Sequence, residues 1–124
     1  MVNLSNHPVE KWTTEQKDAA ATHIIDEPFP NVSPTATKED IYDLARQYIR
    51  NVVNIFKDMD AETPNAEHTH IVHVVGEPTF VTAFVCASRG HDWKCVAATT
   101  ERMSVENPDG TKMVKFRFVQ FREY

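Results

Sequence analysis

The stretch that most restricts how this chain folds runs from Ile71 to Ala98. A β-branched, apolar run, Ile71-Val72-His73-Val74-Val75, passes through Gly76-Glu77-Pro78-Thr79 directly into a segment carrying Phe80, Val81, Phe84, Val85 and Ala87. Proline suits the first turn of a helix and glycine its end, so Pro78 opens this helix and Gly90 closes it. Cys95-Val96-Ala97-Ala98 then reads as a further strand. Strand, tight turn, helix and strand form a βαβ unit, and strands joined by such a crossover pair in parallel. A run as apolar as Ile71–Val75 belongs to a strand buried on both faces.

The other elements fit around this unit. Val2-Asn3-Leu4-Ser5 reads as a short strand, and Asn6-His7-Pro8 as a polar corner after it. Thr13-Thr14-Glu15-Gln16 has the T-x-x-Q form of a capping box, which places a helix from Thr14 to about Ala21. His23-Ile24-Ile25-Asp26 is a second strand, and Pro28, Pro30 and Pro34 keep the following loop extended. From Lys38, Ile41, Leu44, Ala45, Tyr48, Ile49, Val52, Val53 and Phe56 recur on one helical face. Asp58 to Thr69 is polar and aperiodic, as a surface connection would be. Asn107-Pro108-Asp109-Gly110 joins Arg102–Glu106 to Lys112–Phe121 as a hairpin with one face in the core. The order β-α-β-α-β-α-β-β-β predicts a single α/β domain over residues 1–124. It is a three-layer, Rossmann-like sandwich, mainly parallel, with a C-terminal antiparallel hairpin.

A chain of 124 residues with 41% hydrophobic content can bury one core without disulfides or metals. Cys86 and Cys95 lack metal-site spacing and are expected as reduced, buried small hydrophobes. The apolar runs are too short for a bilayer span and the N-terminus lacks signal-peptide order, so a cytoplasmic protein without a membrane partner is expected. A net charge of −5 argues against long nucleic acid as a partner. It leaves room for a small anion held by N–H donors and one or two cations.

In open parallel sheets, ligands sit beyond the carboxyl ends of the strands. That rule nominates Ser5, Asn6 and His7; Phe29 in the proline loop; Gly76, Glu77 and Thr79; and Thr99, Thr100 and Arg102. His7 is a candidate general acid or base, or else a histidine that bonds the turn. Arg102 suits a phosphate beside the Thr99 and Thr100 hydroxyls, or an ion pair with Glu101 or Glu106; Arg89 and Arg122 are alternative cations. Glu77 reads first as a helix cap and second as a ligand contact. Trp12 and Phe29 are of a kind that stacks nucleobases or fills a core. His68, His70 and His73 suggest a metal cluster, but alternation sends His73 to the opposite face, so neither metal nor cofactor is expected.

Asn3-Leu4-Ser5-Asn6-His7-Pro8, followed by Trp12, Thr13 and Gln16, resembles the opening of small accessory proteins encoded beside type III CRISPR systems. Those proteins are similar to reduced CARF sensor domains, Rossmann-like folds that bind cyclic oligoadenylate across a homodimer two-fold. The resemblance implies a CARF-like fold, a homodimer, and a cyclic oligoadenylate ligand that is cleaved without metal by a ring nuclease or sequestered by a sponge. Only Ser5, Asn6 and His7 inherit a role from it, as groups beside the phosphate ring. A binding module for another nucleotide is the alternative.

Overall fold

The computed structural model describes residues 1–20 and 23–124. In chain order these form β1 (Val2–Ser5), a 3-10 turn (Val9–Lys11), α1 (Thr14–Ala20), β2 (Ile25–Pro28), α2 (Lys38–Glu62) and β3 (Ile71–Val74). After them come α3 (Pro78–Ser88), β4 (Lys94–Glu106) and β5 (Lys112–Glu123). The five strands make one sheet in the order β2-β1-β3-β4-β5, parallel throughout except for the β4–β5 pair. The chain is therefore a mixed α/β fold built on the predicted βαβ unit.

Alternation along β1 and β3 decides what each face of the sheet packs against. Val2, Leu4, Val72 and Val74 are completely buried beneath α2 and α3. Helix α2 meets them with Ile41, Ala45, Ile49, Val52 and Phe56, spaced three or four residues apart on one face. Burying each of the larger of these side chains stabilises the fold by roughly 1.5–3 kcal/mol. A capping box starts the helix: Asp40 N–H donates to Thr37 Oγ1 and Thr37 N–H to Asp40 Oδ2. The opposite face is covered more thinly, with Met1, Trp12 and Ala20 packing beside Val9, Ile24, Ile71 and Phe121. On this face β1 and β3 present Asn3, Ser5 and His73, all buried.

Several expected boundaries move. The second strand starts at Ile25, whose N–H donates to Met1 O, and includes Pro28, which an edge strand tolerates. Helix α2 continues to Glu62, through residues expected to be loop. The part of the first helix expected at Ala21 lies outside the described residues. Thr99-Thr100-Glu101-Arg102 is not a loop after a strand: it lies within the 13 residues of β4, which pairs with β5 from Val96 to Glu106 with a register shift between Thr99 and Thr100.

Asn107–Gly110 makes the predicted turn, with Asn107 N–H donating to Thr111 O and Gly110 at φ +84°. Past Val96, β4 pairs only with β5 among the described residues, so the hairpin leaves the sheet as a two-stranded arm. Neither face of its outer part enters the core: Met103, Met113, Val114, Phe116 and Val119 are all exposed. Of the cysteines, Cys95 is half-buried and Cys86 is exposed; both are free thiols.

Candidate functional site

Asn3 and His73 are register partners on adjacent strands and share a face, which brings a carboxamide and an imidazole together inside the sheet. His73 Nδ1 lies 2.8 Å from Asn3 Oδ1, and Ser5 Oγ donates to that same oxygen at 2.8 Å. The Asn3 amide donates to Asp26 Oδ1 at 2.7 Å and to the His7 carbonyl at 2.8 Å. Asp26 in turn accepts from Val9 N–H, fixing the 3-10 turn to β2. One buried asparagine thus ties β1, β2, β3 and the corner after β1 into a single network.

The corner itself is held from three sides. Trp12 Nε1 donates to the His7 carbonyl at 2.9 Å alongside the Asn3 amide, and His7 N–H donates to Ser5 Oγ at 3.1 Å. With its backbone fixed, His7 presents an exposed imidazole into an open cavity of about 470 Å³. Lys11, Trp12, Gln16, His73, Val75, Ala98, Thr100 and Phe116 form the rest of the wall. That volume falls within the roughly 300–1,000 Å³ of small-molecule sites. The cavity spans the ends of β1 and β3, neighbours whose connections leave toward opposite sides of the sheet. Ligands in open α/β sheets favour such a position.

His73 is the least ordinary group in the wall. It is 2% exposed, and among the described residues its Nε2 has no hydrogen-bond partner. Trp12 and Phe121 stand edge-on to its ring at centroid separations of 5.4 and 5.5 Å. Burial, with a smaller contribution from the nearby charge of His7, lowers its pKa from 6.5 to about 4. The ring is neutral at physiological pH.

Among the residues nominated from the sequence, His7, Trp12 and Thr100 line this cavity. Arg102 is the cross-strand partner of Phe116 and so shares its face on the arm. Arg89 lies at the far end of α3, and Arg122 pairs with Ala97 on the other face. Ser5 is buried and holds the corner from beneath, while Asn6 is exposed on the corner. Thr99 points the other way, its hydroxyl bonded to Gln120 O.

The third nominated segment serves the fold. Glu77 caps α3, accepting from Thr79 and Phe80 N–H and from the Thr79 hydroxyl; that hydroxyl, then the Phe80 amide, hold its carboxyl below the usual range. Phe29 packs edge-on against Phe80 on the α2–α3 side, away from Trp12. It also lies against Gly76, where a Cβ would come within 2.4 Å of the ring.

The nominations passed over Asn3, Lys11, Gln16, His73 and Phe116 as site residues. The signal available for two of them was a polar residue at the centre of each of two apolar strands, Asn3 in β1 and His73 in β3. Of the three histidines weighed as a cluster, His68 and His70 both flank Asp60, at 3.3 and 2.9 Å, whereas His73 bonds Asn3. A larger cavity, about 520 Å³, lies between α2 and α3. Its wall is mostly apolar, with Ile41, Tyr42, Pro78 and Ala83, and lacks a buried polar group such as His73.

One family model matches residues 1–122, that of the Uncharacterized protein MJ1673 family. No curated protein and no solved structure matches the chain.

Proposed function

The chain belongs to the Uncharacterized protein MJ1673 family, and since that membership carries no activity with it, we propose a function from the cavity and from the N-terminal resemblance. The protein binds a cyclic oligoadenylate, and it lowers the level of this messenger in type III CRISPR signalling as a metal-independent ring nuclease. Under this reading the sheet is a reduced CARF-like, Rossmann-like domain, and the protein works in the cytoplasm as a homodimer. The supporting observation is a single opening that joins aromatic rings (Trp12, Phe116), an acid–base group (His7) and a cation (Lys11) at the strand ends. An adenine suits the rings, and a phosphate suits Lys11 and the nearby Arg102.

Cleavage follows from these groups. A ribose 2′-oxygen attacks the adjacent phosphorus in line, His7 takes the 2′-OH proton, and Lys11 and Arg102 stabilise the added negative charge. The bond from phosphorus to the 5′-oxygen breaks and that oxygen gains a proton, leaving a 2′,3′-cyclic phosphate and a 5′-hydroxyl. One observation favours a second reading, a sponge that holds the messenger intact. His73, the other imidazole in the wall, is neutral and buried, so it does not supply the proton the leaving oxygen needs.

The test is incubation of the pure protein with cyclic tri-, tetra- and hexa-adenylate in EDTA, followed by chromatography of the nucleotides. Linear products are expected, and His7→Ala should slow their formation by about 10²-fold or more with a smaller change in affinity. Intact ligand that co-elutes with the protein would establish the sponge. Neither binding nor cleavage would overturn both readings.

A further inference from the structure

The partners of Asn3 fix which nitrogen of His73 carries its proton. Asp26 Oδ1 and the His7 carbonyl accept hydrogen bonds and donate none, so the atom facing both must be the Asn3 NH₂. Asn3 Oδ1 is then an acceptor, and the His73 nitrogen 2.8 Å away must be Nδ1–H. A neutral imidazole has one N–H, so Nε2 is a bare lone pair. Among the described residues it is one of two buried side-chain polar atoms without a partner, Trp93 Nε1 being the other, and its ring belongs to the wall of the cavity already described. Buried acceptors in native proteins nearly always have donors, and one left open in a cavity wall marks where a ligand supplies the missing group.

The surroundings narrow what that ligand is. Trp12 and Phe116 give the cavity aromatic walls, which favour a planar ring. Lys11 in the same wall disfavours a cationic donor such as an ammonium group. A carbonyl at this point would set lone pair against lone pair, and burial resists the protonation that would turn the imidazole into a donor.

We infer that His73 Nε2 is the specificity-determining acceptor of the cavity: it takes a hydrogen bond from the amino group of a neutral heteroaromatic ring. The site thus selects a purine that bears an exocyclic amine, such as adenine, over one that lacks it. This inference rests on the proposed reading insofar as the ring is a nucleobase. It adds a reason that a messenger built from a base with an exocyclic amine, as adenine is, is accepted.

The test uses protein labelled with ¹⁵N in histidine side chains, which leaves the fold intact. In the free protein, His73 is expected to show a protonated Nδ1 and an unprotonated Nε2 at neutral pH. Free adenine should move the Nε2 resonance and free purine should not. Cyclic tetra-adenylate carrying N6,N6-dimethyladenine should bind about tenfold or more weakly than the unmodified ring, the loss of about one hydrogen bond per site. The opposite tautomer, or equal binding of the two rings with Nε2 unmoved, would overturn the inference and leave the messenger reading standing. A response to adenine without binding of any cyclic oligoadenylate would uphold the acceptor and overturn the messenger reading. No response to either would overturn both.

Discussion

At the scale of single residues, the account turns on Asn3 and His73. Each is a polar residue inside an apolar strand, and alternation separates His73 from His68 and His70 without saying what it faces. Its role became visible only when β1 and β3 were placed in register, because a pairing between residues 3 and 73 has no local signature. His7 was legible earlier, since a histidine that ends a strand beside a proline is exposed to whatever the strand end binds. The buried His73 also makes stability depend on pH. Its pKa is about 4 when folded and about 6.5 when unfolded. Above 6.5 both states are neutral and the fold keeps its full stability. As pH falls from 6.5 to 4 the unfolded chain binds a proton that the folded chain refuses, so stability is lost across that window, by about 2 kcal/mol at pH 5. Urea unfolding at pH 7 and pH 5 should show this loss, and His73→Gln should remove most of the difference. An equal pH dependence in that variant would contradict the assignment.

At the scale of elements, α2 and the β3–α3–β4 unit were readable because periodicity and Gly-Pro punctuation are local. The misread segment was Thr99-Thr100-Glu101-Arg102. Its polarity suggested a loop, yet threonine suits a strand, and only pairing with β5 shows that β4 continues. That continuation carries Thr100 and Arg102 onto the arm, on the same face as Phe116, which lines the cavity with Thr100. The Gly76 turn was read as a ligand contact, whereas the structure gives it a packing role. A methyl group at Gly76 would meet three atoms of the Phe29 ring at 2.4–2.7 Å. Gly76→Ala should therefore destabilise the protein by about 1–3 kcal/mol. Shrinking the ring with Phe29→Ala should make the added methyl group nearly harmless in the double variant, a coupling that denaturant unfolding measures directly.

At the scale of the whole molecule, the arm is the feature that a single copy leaves unexplained. Two-stranded hairpins are at best marginal alone in water, yet this one extends beyond the sheet with Phe116 69% exposed and Val114 and Met113 beside it. A second copy covering this surface accounts for it within the proposed homodimer and would close the cavity over a two-fold symmetric ligand. Phe116→Asp should shift the protein from dimer to monomer in sedimentation equilibrium while leaving the far-UV spectrum unchanged; an unaltered dimer would move the interface elsewhere. Among the described residues no helix is long and apolar enough to cross a membrane. The central claim concerns where the messenger sits, and indole ¹H–¹⁵N spectra titrated with cyclic tri-, tetra- and hexa-adenylate test it most directly. The account predicts saturable movement of the Trp12 indole signal by one of these rings, with Trp93 unmoved. A still Trp12 signal with every ring, or movement confined to the Trp93 indole, would contradict it.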